Sequence, residues 1–311
     1  MMKVIMFGMG SMGNRHAMSL LNKYDHELAA FRSRKHAKKN SLGIWEMFSW
    51  EEVEKMRPDI AFISNPTFLH VETAARCAKL GIRLFIEKPV GCSMEGLDKL
   101  LEVIENKELT TYVAYNLRFH PVIKYLWENL KNTRIYHVNV CYSSYFPEWR
   151  PHQDYLRSYT AFREKSGGIA LELSHEFDYI QYLFGNIRGI KGITRKADDV
   201  TVDAEDFVDA VIETEQAVVN LHMNIFSRVK ERSIKIDCEK GFFYCDLHKS
   251  LIEHVDQNGK NVITFDTGIA ETYGEQISYF FENVDNPKMM NNLSEASDLF
   301  KKILRFKGEV R

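Results

Sequence analysis

The sequence predicts an α/β domain with a doubly wound parallel sheet, followed by an α+β domain with an open-faced, mainly antiparallel sheet. Three observations predict it. A short apolar run, Lys3-Val4-Ile5-Met6-Phe7, enters a glycine-rich turn, Gly8-Met9-Gly10-Ser11-Met12-Gly13, and a helix-forming segment follows through Leu21. Short apolar runs then alternate with helix-spaced segments up to residue 118, as in a parallel sheet with crossover helices. Beyond that point strand-like runs follow one another with short turn clusters between them, which favours antiparallel pairing. The 311 residues are enough for two substantial cores, and the boundary is placed between 1–118 and 119–311.

Strand, glycine turn and helix in that order give G-x-G-x-x-G a physical meaning. Gly8 permits the tight turn, Gly10 lets a pyrophosphate approach the backbone, and Gly13 lets helix and strand pack closely. The free N–H groups of Ser11, Met12 and Gly13 then open a helix whose positive end faces the anion. This is the dinucleotide-binding arrangement of a Rossmann domain. The second strand is Glu27–Phe31, and an acid about twenty residues past the glycines would select NAD through the ribose 2′-OH. Arg32 and Ser33 stand there instead, with Arg34 and Lys35 behind. Cations and a hydroxyl suit a 2′-phosphate, so NADP(H) is favoured over NAD(H), the other reading being a solvated basic loop.

Further strands are read at 59–64, at 83–86 and at 111–115. The first ends in Asn65-Pro66-Thr67, and Glu87-Lys88-Pro89 terminates the second. Residues 71–80 have helical spacing and stop at Gly81, a good helix-ending residue, while Ser93 is placed to cap the next helix. Ligands of such a sheet lie past the carboxyl ends of its strands. That collects Gly8 to Gly13, Arg32, Asn65, Lys88 and Asn116 as cofactor-facing candidates; Pro66, Glu87 and His70 join them from the adjoining motifs, His70 reading equally well as a helix N-terminal residue. His16 and His120 read as structural.

In the second domain, a helix at 121–130 precedes strands at 135–145, 187–194, 207–213, 217–226, 233–238, 241–247 and 262–265. A closing helix is read at 294–306. One helix interrupts the strands, opened by Gly167-Gly168 and closed by Gly185. Ile169, Leu173, Phe177, Ile180 and Phe184 recur on its core face. Glu172, His175, Glu176 and Tyr179 fall on another face. Acid, imidazole and phenol there form either a functional constellation or a structural network of hydrogen bonds.

Bulk properties narrow the partners. A net charge of −2 gives no reason to expect nucleic acid, and no apolar run approaches a membrane span. Five cysteines at irregular spacing argue against a disulfide framework and against a zinc site. With no secretory signal visible, the expected location is cytoplasmic and no metal is expected.

These residues together resemble the glucose-fructose oxidoreductase, inositol dehydrogenase and MocA (Gfo/Idh/MocA) family. The fingerprint running on to His16, Asn65-Pro66-Thr67 with His70, and Gly167-Gly168 with Glu172 and His175 are all similar to its motifs. Glu87-Lys88-Pro89 is the most specific match. The resemblance implies a nicotinamide-dependent oxidoreductase of sugars, sugar nucleotides or cyclitols, assembled as a homodimer or homotetramer through the open sheet. It implies that Lys88 works at the hydride-transfer site, commonly with a helix Asp and His. Here the acid is Glu172, and its spacing to His175 is three residues rather than four. The loop holding Trp149, Arg150, Asp154 and Tyr155 resembles a subgroup associated with surface-polysaccharide pathways. Those four residues and Tyr179 are the substrate candidates, a merely structural loop being the other reading. The catalytic candidates are Lys88, His175 and Glu172. Two alternatives are a nucleotide-sensing regulator on the same fold and a reductase of a non-sugar substrate.

Overall fold

The computed structural model describes residues 1–33, 39–149, 154–165 and 167–310. They divide into two compact units, Met1–Ala114 with Gln276–Asp298, and Tyr115–Glu275 with Leu299–Arg311. A single cut at 118 assigns residues 276–298 to the second domain, whereas they belong to the first unit.

The first unit contains β1 (Lys3–Phe7), α1 (Ser11–Lys23), β2 (Glu27–Phe31), β3 (Trp45–Met47), α2 (Trp50–Met56), β4 (Ile60–Ile63), α3 (His70–Lys79), β5 (Arg83–Ile86), α4 (Leu97–Asn106) and β6 (Thr111–Val113). The strands form one parallel sheet in the order β3-β2-β1-β4-β5-β6. The order reverses between β1 and β4, the switch point where such sheets open a ligand crevice. Alternation with helices dictates this, because each parallel pair needs a crossover and each crossover buries a sheet face. Phe62 and Phe85 stack at 4.4 Å, and Phe280 meets both edge-on. Phe281 packs on Tyr24 at 4.6 Å. Burying these rings is the physical reason that residues 276–298 join this unit. Gly81 ends α3 with φ +78°, as its position suggests. Helix α4 starts later than Ser93 implies, with Gly96 at its N-cap and no capping side chain.

The second unit contains α5 (Pro121–Asn129), β7 (Ile135–Tyr145), α6 (Ile169–Glu172), α7 (Ser174–Phe184), β8 (Ile187–Arg195), β9 (Phe207–Thr214), β10 (Val218–Asn224), β11 (Phe226–Cys238), β12 (Gly241–Asp246), β13 (Leu251–Asp256) and β14 (Gly259–Thr264). Two further helices, α8 (Ile269–Glu282) and α9 (Leu293–Phe306), contribute residues to both units. The sheet runs β14-β13-β12-β11-β7-β10-β9-β8, antiparallel throughout except for the parallel pair β7 and β10. Strand β9 alternates strictly between buried and open residues, so one sheet face carries the core and the other does not. Phe177 and Ile180 of α7 are fully buried, as their spacing requires. The predicted single helix is in fact two, broken at Leu173, whose backbone leaves the helical region at φ −103° and ψ 34°.

Candidate functional site

The glycine turn is built as a cradle. Gly8 has φ +92°, and a Cβ there would stand 2.5 Å from the Asn65 nitrogen and the Ser64 oxygen. A Cβ on Gly13 would meet the Gly8 oxygen at 1.9 Å. Gly10 faces open space, with nothing within 4 Å of such a Cβ. Helix α1 starts at Ser11, with Gly10 as N-cap and no side chain capping it. Asn14 braces the turn by donating to the Met9 and Gly10 carbonyls at 2.8 and 3.0 Å. Two crowded glycines around an open one, beside an uncapped helix start, fit a pyrophosphate.

Arg32 follows β2 as expected, but its guanidinium donates to Glu46 Oε1 on β3 at 2.6 Å. Asn40 also donates to Glu46, through its backbone and side chain at 2.8 and 2.9 Å, which holds that carboxyl below its usual range with help from Arg32. The sequence reading missed Glu46 because it missed β3. Ser33 is exposed, and Arg34 lies outside the described residues.

At the ends of β4 and β5 two turns are tied together. Asn65 donates to Thr73 Oγ1 at 2.9 Å. The His70 ring lies between two carbonyl oxygens, that of Asn65 facing Nε2 and that of Pro89 facing Nδ1, both at 2.9 Å. Burial pushes its pKa down, against the opposing pull of the two carbonyl contacts. The Glu87 carboxylate turns inward to His16 Nε2 on α1, at 2.6 Å. Lys88 is half-buried while every other residue of 84–91 is buried.

The second unit shows the same pattern. Within residues 167–181, Glu172 and His175 are half-buried and the other residues are buried. They flank the break at Leu173. Tyr159 donates to Glu172 Oε1 at 3.3 Å, and the Tyr115 ring meets His175 edge-on at 5.7 Å. Helix α7 is anchored by two buried ion pairs that the sequence did not reveal. Arg118 grips Asp178 through two bonds of 3.0 and 2.7 Å, and Arg232 of β11 donates to Glu176 at 2.7 Å. Tyr179 is fully buried, and burial, reinforced by Glu176, pushes its phenol well up. Its neighbours are thus the anchoring pair. Asn116 is buried in this unit and donates to Thr272 Oγ1 at 2.5 Å.

In the aromatic loop, Trp149 donates to Ser144 Oγ at 2.9 Å, and Phe146 meets Trp149 and Tyr155 edge-on at 5.2 and 5.8 Å. Asp154 accepts from the Leu156 N–H and pairs with Arg157 at 3.2 Å. Arg150 lies outside the described residues. Among the described residues, no group of three or more His, Cys, Asp or Glu is placed to hold a metal, and no helix is long and apolar enough to cross a membrane.

Comparison with known proteins follows this division. Residues 2–115 match the oxidoreductase family with an NAD-binding Rossmann fold, and residues 124–244 match the GFO/IDH/MocA C-terminal domain. The myo-inositol 2-dehydrogenase of Thermotoga maritima is 24% identical over 310 residues, covering 91% of this chain and 88% of that protein. An Agrobacterium radiobacter oxidoreductase, solved with NAD+, L-tartaric acid and magnesium, superposes with a TM-score of 0.85 at 14% identity, over 99% of this chain and 96% of that one. The UDP-N-acetylglucosamine 3-dehydrogenase of Acidithiobacillus ferrooxidans gives 0.81 at 16% identity, over 99% and 97%.

Proposed function

Because this chain belongs to the GFO/IDH/MocA oxidoreductase family, we propose that it moves a hydride between a nicotinamide cofactor and a carbinol or keto carbon of a sugar, sugar nucleotide or cyclitol. The cofactor supplies the redox chemistry. The glycine turn and the start of α1 bind its pyrophosphate, and Lys88 and His175 handle the proton of the reacting oxygen, with Glu172 beside His175. One observation carries this reading. Lys88, Glu172 and His175 are the half-open residues of two otherwise buried segments, so the fold exposes the groups that such chemistry needs. Trp149 and Tyr155 offer apolar faces to a sugar ring.

Arg32 and Ser33 support NADP(H), with Glu46 as the competitor for Arg32. A 2′-phosphate draws Arg32 away from Glu46, whereas a 2′-OH leaves the pair intact. The open face of the second sheet supports assembly as a homodimer or homotetramer. The test of the activity is a screen of myo-inositol, other free polyols and sugar nucleotides, following the absorbance of NADH and NADPH. Turnover of a polyol or sugar with either cofactor is the expected result, and oxidation of none of them overturns the reading.

A further inference from the structure

The geometry points to His16 and His70 as positioning residues for Lys88, holding the residues before and after it from two different helices. This rests on the proton-handling role proposed for Lys88, and it concerns how that side chain is aimed.

Glu87 and Pro89 flank Lys88, and each is tied by a buried histidine. His16 is fully buried on α1, packed edge-on against Phe85 at 5.1 Å, and its Nε2 holds Glu87 Oε1 at 2.6 Å. His70 is 2% exposed at the start of α3, with the Pro89 carbonyl at 2.9 Å on one side and the Asn65 carbonyl at 2.9 Å on the other. Both ties come from earlier in the chain, but from two different helices. One reaches back 71 residues from Glu87 and the other 19 from Pro89.

A structural reading alone explains this poorly. A buried carboxylate such as Glu87, 8% exposed, is expensive to desolvate, and an apolar pair of similar volume often stabilises as well or better. What the polar ties add is direction. Holding the side chain of Glu87 and the carbonyl of Pro89 restrains the chain one residue before and one residue after Lys88, which narrows the directions its Cα–Cβ bond can take. Within 84–91 the only side chain left half-open is the one between the ties. His70 also joins this turn to Asn65, whose nitrogen packs against Gly8, so the aim of Lys88 is referred to the glycine cradle. A displacement of the reacting group by about 1 Å can cost on the order of a hundredfold in rate.

The test compares His16→Leu and His70→Leu with the conservative His16→Gln and His70→Gln, all saturated with the dinucleotide that wild type binds more tightly. Acetylation of Lys88 by acetic anhydride, read by mass spectrometry against exposed Lys79 in the same chain, reports the setting of Lys88 without any substrate. Oxidation of myo-inositol reports kcat and KM. The Leu variants should change the Lys88 to Lys79 ratio by about fivefold or more and lower kcat by roughly 10- to 100-fold, with KM and cofactor affinity nearly unchanged. The Gln variants, which keep an amide donor, should recover most of both. Should the Leu variants unfold, Glu87→Gln and the Gln variants at 25 °C carry the same ratio measurement against wild type. An unchanged ratio in folded variants, or losses that simply follow weaker cofactor binding, overturns the inference. Failure of the underlying reading looks different: Lys88→Met would keep its turnover while the labelling ratio still responded to the histidines.

Discussion

Lys88, Glu172 and His175 were legible as residue types in motifs, but the ion pairs that hold their chain neighbours Glu87 and Glu176 were not. The partners are distant in sequence: His16 lies 71 residues from Glu87, and Arg232 lies 56 residues from Glu176. Ion pairs of that separation leave no periodic trace, because each partner reads locally as one more polar residue. Lys88→Met should lower turnover by roughly 100- to 10,000-fold, the span of a general acid–base group, with little change in cofactor affinity. Retention of more than a tenth of the wild-type rate in single-turnover hydride transfer would reduce Lys88 to a binding group. Arg32 shows a different limit. Its position announced a 2′-phosphate ligand, yet the Glu46 pairing could be seen only after β3 was placed. Glu46→Gln removes the competing charge and should raise NADPH affinity relative to NADH by about three- to tenfold. Calorimetric titration of both cofactors checks this, and an unchanged ratio means that Arg32 takes no part in cofactor choice.

At the scale of elements, the parallel sheet was readable because each strand is a short apolar run closed by a glycine, proline or polar cluster. Strand β3 escaped because it is three residues long, and α2 because its seven residues bury only Val53 and Met56, too few to show a period despite the capping box of Ser49 with Glu52. The break at Leu173 escaped for a better reason. Ile169, Leu173, Phe177 and Ile180 keep helical spacing across it, so periodicity continues where the backbone does not. Helix α8 escaped because its buried stripe, Thr272, Gln276, Ile277 and Phe280, is half polar and so shows a weak apolar period. The glycine turn allows the separation of folding from binding. Gly13→Ala places a methyl against the Gly8 carbonyl and should destabilise the protein by about 3 kcal/mol, a typical cost of overpacking. Gly10→Ala meets nothing in the protein and has an ordinary backbone at φ −76°, so thermal unfolding should barely move while dinucleotide affinity falls. Equal melting temperatures for the two variants would show that the cradle is looser than drawn.

For the whole molecule, the second sheet leaves one face to be covered. Ile193, Val211 and Val218 on β8, β9 and β10 are each about half exposed there, beside the His222–Asp209 pair. Light scattering at micromolar concentration should therefore give at least twice the 36.3 kDa of one chain. Stability should also depend on pH through buried imidazoles rather than carboxylates. His120 is fully buried at the start of α5, where its Nδ1 accepts from the Val122 N–H and so must stay unprotonated. Burial, with Arg232 and His248 adding repulsion, pulls its pKa down to about 4 against the bond to the Leu247 carbonyl and the charge of Glu271. His248 is exposed at the surface, yet partial desolvation and the charges of Lys230 and Arg232 pull it to about 4 as well. For a base whose folded pKa is depressed, the unfolded chain takes up the proton first as pH falls. Stability is then complete above the unfolded value of 6.5 and is lost progressively between 6.5 and about 4. His120 alone should withdraw about 2 kcal/mol between pH 6.5 and 5. The lowered carboxyls of Glu46, Asp246 and Glu271 add their losses only at more acid pH. His120→Asn keeps a capping oxygen for the Val122 N–H and cannot titrate, so its melting temperature should fall less steeply from pH 7 to pH 5 than that of wild type. Parallel curves for the two proteins would show that His120 is not the group that acid must charge.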